Sequence, residues 1–206
     1  MLTRDKILAT ALRLFNTQGT SGLTVRHIAQ EAGISHGNLC YYFPRTDDII
    51  QQLYLDLVTE IDKGFPPPGS QLDVRYLLQT LQHTFETLYT YRFLMLDFVR
   101  IMRTIPAITL HYRALYQRRL AQVNALREQL VVSGDFQPEQ YPGQHEHFVA
   151  QCFLLSDFWL AEAEILFDEP VEVKLAYYTR LAGGVVFQYL TPQGQAVLRP
   201  LLANIP

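Results

Sequence analysis

His36, Asn38, Cys40, Tyr41 and Tyr42 bring an imidazole, a carboxamide, a thiol and two phenols into one short run, SHGNLCYYF. An Asn carboxamide pairs a donor with an acceptor in the pattern of an adenine edge, while hydroxyl and aromatic groups reach phosphate oxygens. If the run is helical, Ile34, Leu39 and Phe43 take its buried face and His36, Gly37, Asn38, Cys40, Tyr41 and Tyr42 point outward.

Such a face needs a support that presents it, and the preceding residues supply one. Thr24 is a good N-cap, and Val25, Ile28, Ala29 and Ala32 follow at helical spacing. Gly33 stands where a left-handed residue ends that helix, and Ser35 is placed to cap the next. Two short helices joined by so tight a turn form a helix-turn-helix, whose second helix enters the DNA major groove. Residues 24–43 therefore predict a DNA reader. The competing use of the same motif is protein packing.

Residues from about 3 to 62 resemble the DNA-binding domain of the TetR family of transcriptional regulators. The resemblance rests on ILATALRLFNTQG, on LTVRHIAQEAGIS, and on GNLCYYF leading into DDIIQQLYLDL. It implies a homodimer whose third helix reads a palindromic operator and whose fourth helix leads to a helical effector-binding domain. Thr24 and Arg26 match family positions at the DNA backbone and groove edge, and Ser35, His36, Gly37, Asn38, Cys40, Tyr41 and Tyr42 fall on or cap the reading helix. Cys40 stands where the family usually has Tyr, Tyr42 where His is frequent, and Thr46 where a phosphate-binding Lys is common.

The other elements also read as helices. Thr3 is an N-cap candidate ahead of a stripe of Ile7, Leu8, Ala11, Leu12, Leu14 and Phe15. Pro44 stops the reading helix, and Thr46-Asp47-Asp48 opens a fourth carrying Ile49, Ile50, Leu53, Tyr54, Leu57 and Ile61. The run from Gly64 through Pro66, Pro67, Pro68 and Gly69 to Ser70 is a break, giving domains 1–62 and 63–206. Beyond it, helices are predicted from Leu72 to Thr90, from Phe93 to Met102, and from Pro106 to Val132. Two nearly all-apolar helices follow, up to about Leu190, and Thr191-Pro192 caps a terminal one. Arg118, Arg119 and Arg127 are expected on a solvated face. No strand alternation or repeat is visible, so the fold class is all-α, with about nine or ten helices.

Composition narrows the function classes. The 206 residues are 49% apolar and 12% aromatic, enough for a sizeable core. The net charge of −3 gives no global nucleic-acid signal, although Arg4, Lys6, Arg13, Arg26 and Arg45 outnumber Asp5 and Glu31 before Thr46. Two cysteines make no disulfide framework, and neither a signal peptide nor a bilayer-length apolar run is found, so a soluble cytoplasmic protein is expected. There is no phosphate-binding glycine loop, nucleophile elbow or metal-ligand spacing, so neither enzyme activity nor a cofactor is expected.

Phe85, Tyr89, Phe93, Phe98, Tyr112, Tyr116, Phe153 and Trp159, with Arg100, Arg103 and His111, have the make-up of a pocket for an apolar small-molecule effector with an anionic or hydrogen-bonding end. An aromatic core is the plainer account of any one of them. His145-Glu146-His147 lacks a shared helix face for a metal. Gly183-Gly184, costly inside a helix, reads either as a dimer seam or as a kink. Cys40 is either a redox-sensitive thiol or a small groove-facing residue. The expectation is a dimeric, ligand-released repressor that binds double-stranded DNA. The alternative is a helical enzyme or carrier whose helix-turn-helix never meets DNA.

Overall fold

The computed structural model describes residues 3–66, 70 and 73–205. Among them every regular element is helical: α1 (Thr3–Gln18), α2 (Val25–Glu31), α3 (His36–Tyr42), α4 (Thr46–Asp62), α5 (Val74–Thr90), α6 (Arg92–Leu96), α7 (Phe98–Thr104), α8 (Pro106–Val132), α9 (Gln144–Leu166), α10 (Val171–Phe187) and α11 (Pro192–Ala203). One isolated bridge joins Phe136 to Leu190. The all-α expectation holds. Pro67, Pro68 and Gly69 of the proline break, and Leu72 at the expected start of α5, lie outside the described residues.

Among the described residues eleven helices replace the expected nine or ten, because the run from Phe93 to Met102 divides at Asp97, whose backbone (φ −100°, ψ 14°) leaves the helical region. The Asp97 carboxylate accepts from the Thr20 hydroxyl, from the Thr20 amide at 3.4 Å and from Arg100 at 2.8 Å. The run is also buried on one side only: Phe93, Leu94, Met95 and Ile101 face inward, whereas Leu96 and Val99 are 43% and 52% exposed.

The chain forms two compact units, Met1–Glu60 with Thr90–Arg113, and Ile61–Tyr89 with Ala114–Pro206. Residues 90–113 thus group with the first sixty, which a single cut at 62–63 does not describe. In the first unit, α1 buries Ile7, Ala11 and Phe15, α2 buries Ile28, α3 buries Leu39, and α4 buries Ile49 and Leu53. Phe93 attaches α6 to α1, with its ring 5.0 Å from that of Phe15 and its amide donating to Asn16 Oδ1 at 3.1 Å. Asn16 in turn donates to the Thr90 carbonyl at 2.8 Å. Burying a Phe of this kind contributes roughly 1.5–3 kcal/mol.

The second unit packs Leu126, Leu130, Phe136, Phe148, Val149, Val186, Leu190 and Leu198 into one core. Of the three arginines of α8 expected on a solvated face, Arg118 is exposed, whereas Arg119 and Arg127 turn inward. The Arg119 side chain is 7% exposed, lies 4.0 Å from the Phe65 ring centroid and pairs with Asp62. Asp62 also takes Arg118 at 3.0 Å. Burial lowers the Arg119 pKa, and the carboxylate compensates the buried charge. Arg127 donates to Nδ1 of the buried His145, whose Nε2–H reaches the Gln137 carbonyl at 3.0 Å. Thr191 caps α11 as expected, accepting from the Gly194 amide at 3.3 Å.

Gly183 and Gly184 have different surroundings. A side chain at Gly183 would run into Leu202 of α11, so this glycine is a close crossing within one chain, and α10 continues past it to Phe187. At Gly184 the space is open.

Candidate nucleic-acid interface

The turn between α2 and α3 is built by local chemistry. Gly33 adopts φ +63°, a region that costs a residue with a Cβ about 1–2 kcal/mol. Its amide donates to the Gln30 carbonyl at 3.1 Å, and the Ile34 amide reaches back to Ala29 at 3.0 Å, which closes α2 in a Schellman motif. Thr24 caps the other end of α2. Its Oγ1 accepts from the His27 amide at 3.4 Å, and its own amide donates to His27 Nδ1 at 3.3 Å, so His27 fills the capping-box position usually held by Glu or Gln. Ser35 caps α3 through the Asn38 amide at 3.1 Å.

These caps hold α3 with one face inward and one outward. Leu39 and Phe43 are buried and Ile34 half-buried, while His36, Gly37, Asn38, Tyr41 and Tyr42 are exposed, Tyr41 by 82%. The two tyrosine rings meet edge to face at 5.1 Å. Cys40 is half-buried rather than outward, because its Sγ turns along the helix to within 3.4 Å of His36 Nε2. Thr24 and Arg26 are exposed at the start of α2.

Thr46 stands where the resemblance puts a phosphate-binding Lys. It is half-buried, and its hydroxyl donates inward to the Leu23 carbonyl at 3.4 Å. The cation at this corner is its neighbour Arg45, whose side chain is 74% exposed and bridges to Asp48 at 2.7 Å. The hydrogen bond to Asp48 raises the Arg45 pKa and lowers that of Asp48, so both stay charged. From the sequence alone Arg45 counts only among the local cations, although its position straight after Pro44 puts it beside α3. Arg4 lies 5.6 Å over the Phe43 ring on the same unit, while Arg13 is tied to Glu31.

The surface so assembled offers a carboxamide, an imidazole and phenols on one exposed helix, flanked by arginines. This is a donor set for base edges and phosphates.

The residues expected to line an effector pocket divide between the units. Phe93, Phe98, Arg100, Arg103, His111 and Tyr112 belong to the first, where Phe98 meets Tyr112 at 5.2 Å and His111 shares a 3.0 Å hydrogen bond with Tyr54. Phe93 is core there and Arg100 is paired with Asp97. Phe85, Tyr89, Tyr116, Phe153 and Trp159 belong to the second. Phe85 contacts Trp159 at 5.3 Å, Trp159 contacts Tyr178 at 5.0 Å, and Tyr116 contacts Phe153 at 4.6 Å. The Trp159 Nε1–H is buried with no acceptor among the described residues.

No group of three or more metal-ligating side chains occurs among the described residues, and no helix there is long and apolar enough to cross a membrane.

Comparison with known proteins agrees with this geometry. Residues 7–53 match the family described as "Bacterial regulatory proteins, tetR family", and residues 57–198 match that described as "Bacterial transcriptional repressor". The chain is similar to a crystal structure of a TetR-family transcriptional regulator from Marinobacter aquaeolei VT8, at 27% identity and a TM-score of 0.90, over 100% of this chain and 99% of that one. It is 22% identical over 175 residues to "Probable HTH-type transcriptional regulator YttP" of Bacillus subtilis strain 168, covering 82% of this chain and 84% of the relative. A shorter match, 33% over 95 residues, is to HTH-type transcriptional regulator AcrR of Shigella flexneri, covering 43% of this chain and 42% of that protein.

Proposed function

The chain belongs to the TetR family of bacterial transcriptional regulators, and on that premise we propose that it is a repressor released from a palindromic operator by a small-molecule effector. The observation that carries this reading is the exposed face of α3, held outward over buried Leu39 and Phe43 by the Gly33 turn and the Ser35 cap. His36, Asn38 and Tyr41 read base edges. Thr24, Arg26, Ser35, Tyr42 and Arg45 hold the backbone, and Gly37 keeps the first turn of α3 free of a side chain that would stand it off the groove. As a transcription regulator the protein works in the cytoplasm.

In functional terms residues 1–62 bind DNA, and residues 63–206 dimerise and sense the effector. A second copy of the chain covers α9 and α10. Leu154, Phe158 and Ile165 on α9, and Val173, Tyr177 and Leu181 on α10, recur at helical spacing and are 40% exposed or more. Contiguous apolar surface of this kind marks an interface. A twofold pair buries it and presents two copies of α3, so the operator must be a near-palindrome.

The effector is received among the aromatic residues of the second unit, Phe85, Tyr116, Phe153 and Trp159. The unpaired Trp159 N–H favours a ligand with an apolar body and a hydrogen-bond acceptor.

Selection of bound duplexes from random DNA tests this function directly. Recovery of a common inverted repeat supports it, and recovery of no enriched sequence refutes it.

A further inference from the structure

His36 and Cys40 are one helical turn apart on α3, and their side chains converge, with Sγ 3.4 Å from Nε2 and 4.0 Å from Nδ1. An ion that binds a thiolate at about 2.3 Å and an imidazole nitrogen at about 2.0–2.1 Å in tetrahedral geometry holds those two donors about 3.5 Å apart. The pair therefore already stands at the bite such an ion requires. His36 is exposed and Cys40 half-buried, so an ion reaches the pair from solvent without opening the core. Both rotamers are available on the same face of a capped helix, which lowers the ordering cost of binding.

We propose that His36 and Cys40 form a two-point chelate for a thiophilic divalent cation of the zinc class, and that its occupancy switches off sequence reading by α3. The regulatory half of this proposal rests on the reading of α3 as the DNA-recognition helix. Binding replaces waters of the hydrated ion with the Sγ and Nε2 electron pairs, releases four waters as the ion becomes tetrahedral, and releases the thiol proton to solvent. Water fills the remaining positions. The cost to recognition is twofold: the imidazole nitrogen of His36 is consumed, and a hydrated ion stands between the helix and the base edges. The added positive charge meanwhile attracts phosphate irrespective of sequence. The net effect is loss of discrimination rather than loss of all DNA binding. Cys152, the second thiol, is half-buried on α9, and burial pushes its pKa up to about 12, so it does not compete for the ion.

The test uses the untagged full-length protein with Co²⁺ as a spectroscopic probe and Zn²⁺ as the effector ion. Titration with Co²⁺ is expected to develop thiolate-to-cobalt charge-transfer absorption saturating at one ion per chain. Cys152→Ser should behave alike, and His36→Ala and Cys40→Ser should lose the band. Absence of the band in the unmodified protein, or its persistence in Cys40→Ser, overturns the site. Each protein is then compared with itself, with and without Zn²⁺, for its ratio of selected-operator to scrambled-duplex affinity. A fall of tenfold or more in the unmodified protein, with no fall in Cys40→Ser, is the expected result, and an unchanged ratio in the unmodified protein overturns the regulatory half. If random-DNA selection enriches nothing while the cobalt band forms, the DNA reading has failed and the metal site stands.

Discussion

The amide of Ile34 donates to the carbonyl of Ala29 at 3.0 Å, across a Gly33 held at φ +63°. That bond fixes the angle at which α3 leaves α2, and only a residue without a Cβ adopts the conformation freely. Gly33→Ala is therefore expected to cost about 1–2 kcal/mol of stability. Urea unfolding should show a lowered midpoint with an unchanged slope, and operator affinity should fall further than stability alone requires.

In the proposed reading of α3, Asn38 reads a base edge and Tyr42 holds the backbone. Both are exposed on α3, Asn38 in the first turn and Tyr42 at the end. Asn38→Ala should lose about 1–3 kcal/mol of discrimination at one position of each half-site. Tyr42→Phe should weaken all duplexes by a similar factor, because phosphates carry no base code. A panel of single-base operator variants distinguishes the two. Matching preference profiles for both variants would overturn these role assignments.

What the sequence made legible was local. Thr24, Gly33 and Ser35 act on neighbours within a few residues, so their types announced the caps and turn that the structure contains. The break at Asp97 was not legible because it depends on Thr20, seventy-seven positions earlier in the chain. Arg119 read as a surface charge because nothing in its own helix shows that Asp62 and Phe65 lie across it. The aromatic residues grouped for an effector shared composition but not place, and tertiary packing sent Phe93 onto Phe15 and Phe85 onto Trp159. Gly183 and Gly184 look identical in sequence, and only the position of Leu202 tells them apart.

That difference gives a paired prediction. Gly183→Leu forces a side chain into Leu202 and should destabilise folding by about 1–3 kcal/mol, as overpacking does. Gly184→Glu meets open space about one turn beyond Leu181 of the α10 apolar stripe, so it should leave folding intact and weaken self-association. Thermal unfolding and sedimentation velocity on the two proteins should show opposite patterns. A Gly184→Glu protein that remains as strongly dimeric as the unmodified one would remove α10 from the seam.

Stability should also depend on alkaline pH through Cys152. Burial raises its pKa in the folded protein from an ordinary value near 9 to about 12. Its protonated form is thus the one the fold favours, and the contribution is complete below pH 9. As pH rises from about 9 towards 12, the unfolded chain ionises first, and stability falls by up to about 1.4 kcal/mol per pH unit for this single proton. Tyr178, also raised by burial, adds to the loss above its own ordinary value near 10. Denaturant unfolding between pH 8 and 10 should show this decline, and Cys152→Ala should flatten the part that begins near pH 9.

The effector reading makes a thermodynamic demand that does not depend on knowing the pocket in detail. A ligand moves the protein between DNA-binding and released arrangements only through its different affinity for the two, and a near-complete switch takes about 5.5 kcal/mol. In the mechanism proposed, a shift near residues 93–103 would displace the Thr46–Lys63 connector and change the spacing of the two copies of α3. Linkage then requires that operator DNA weaken the ligand by the same factor by which the ligand weakens DNA. A binder found by thermal-shift screening should lose affinity in the presence of operator. Trp159→Phe, which keeps an aromatic ring but removes the N–H with the five-membered part of the indole, should weaken a ligand whose acceptor takes that hydrogen. Equal ligand affinity with and without operator would show that the compound fills a cavity without acting as an effector.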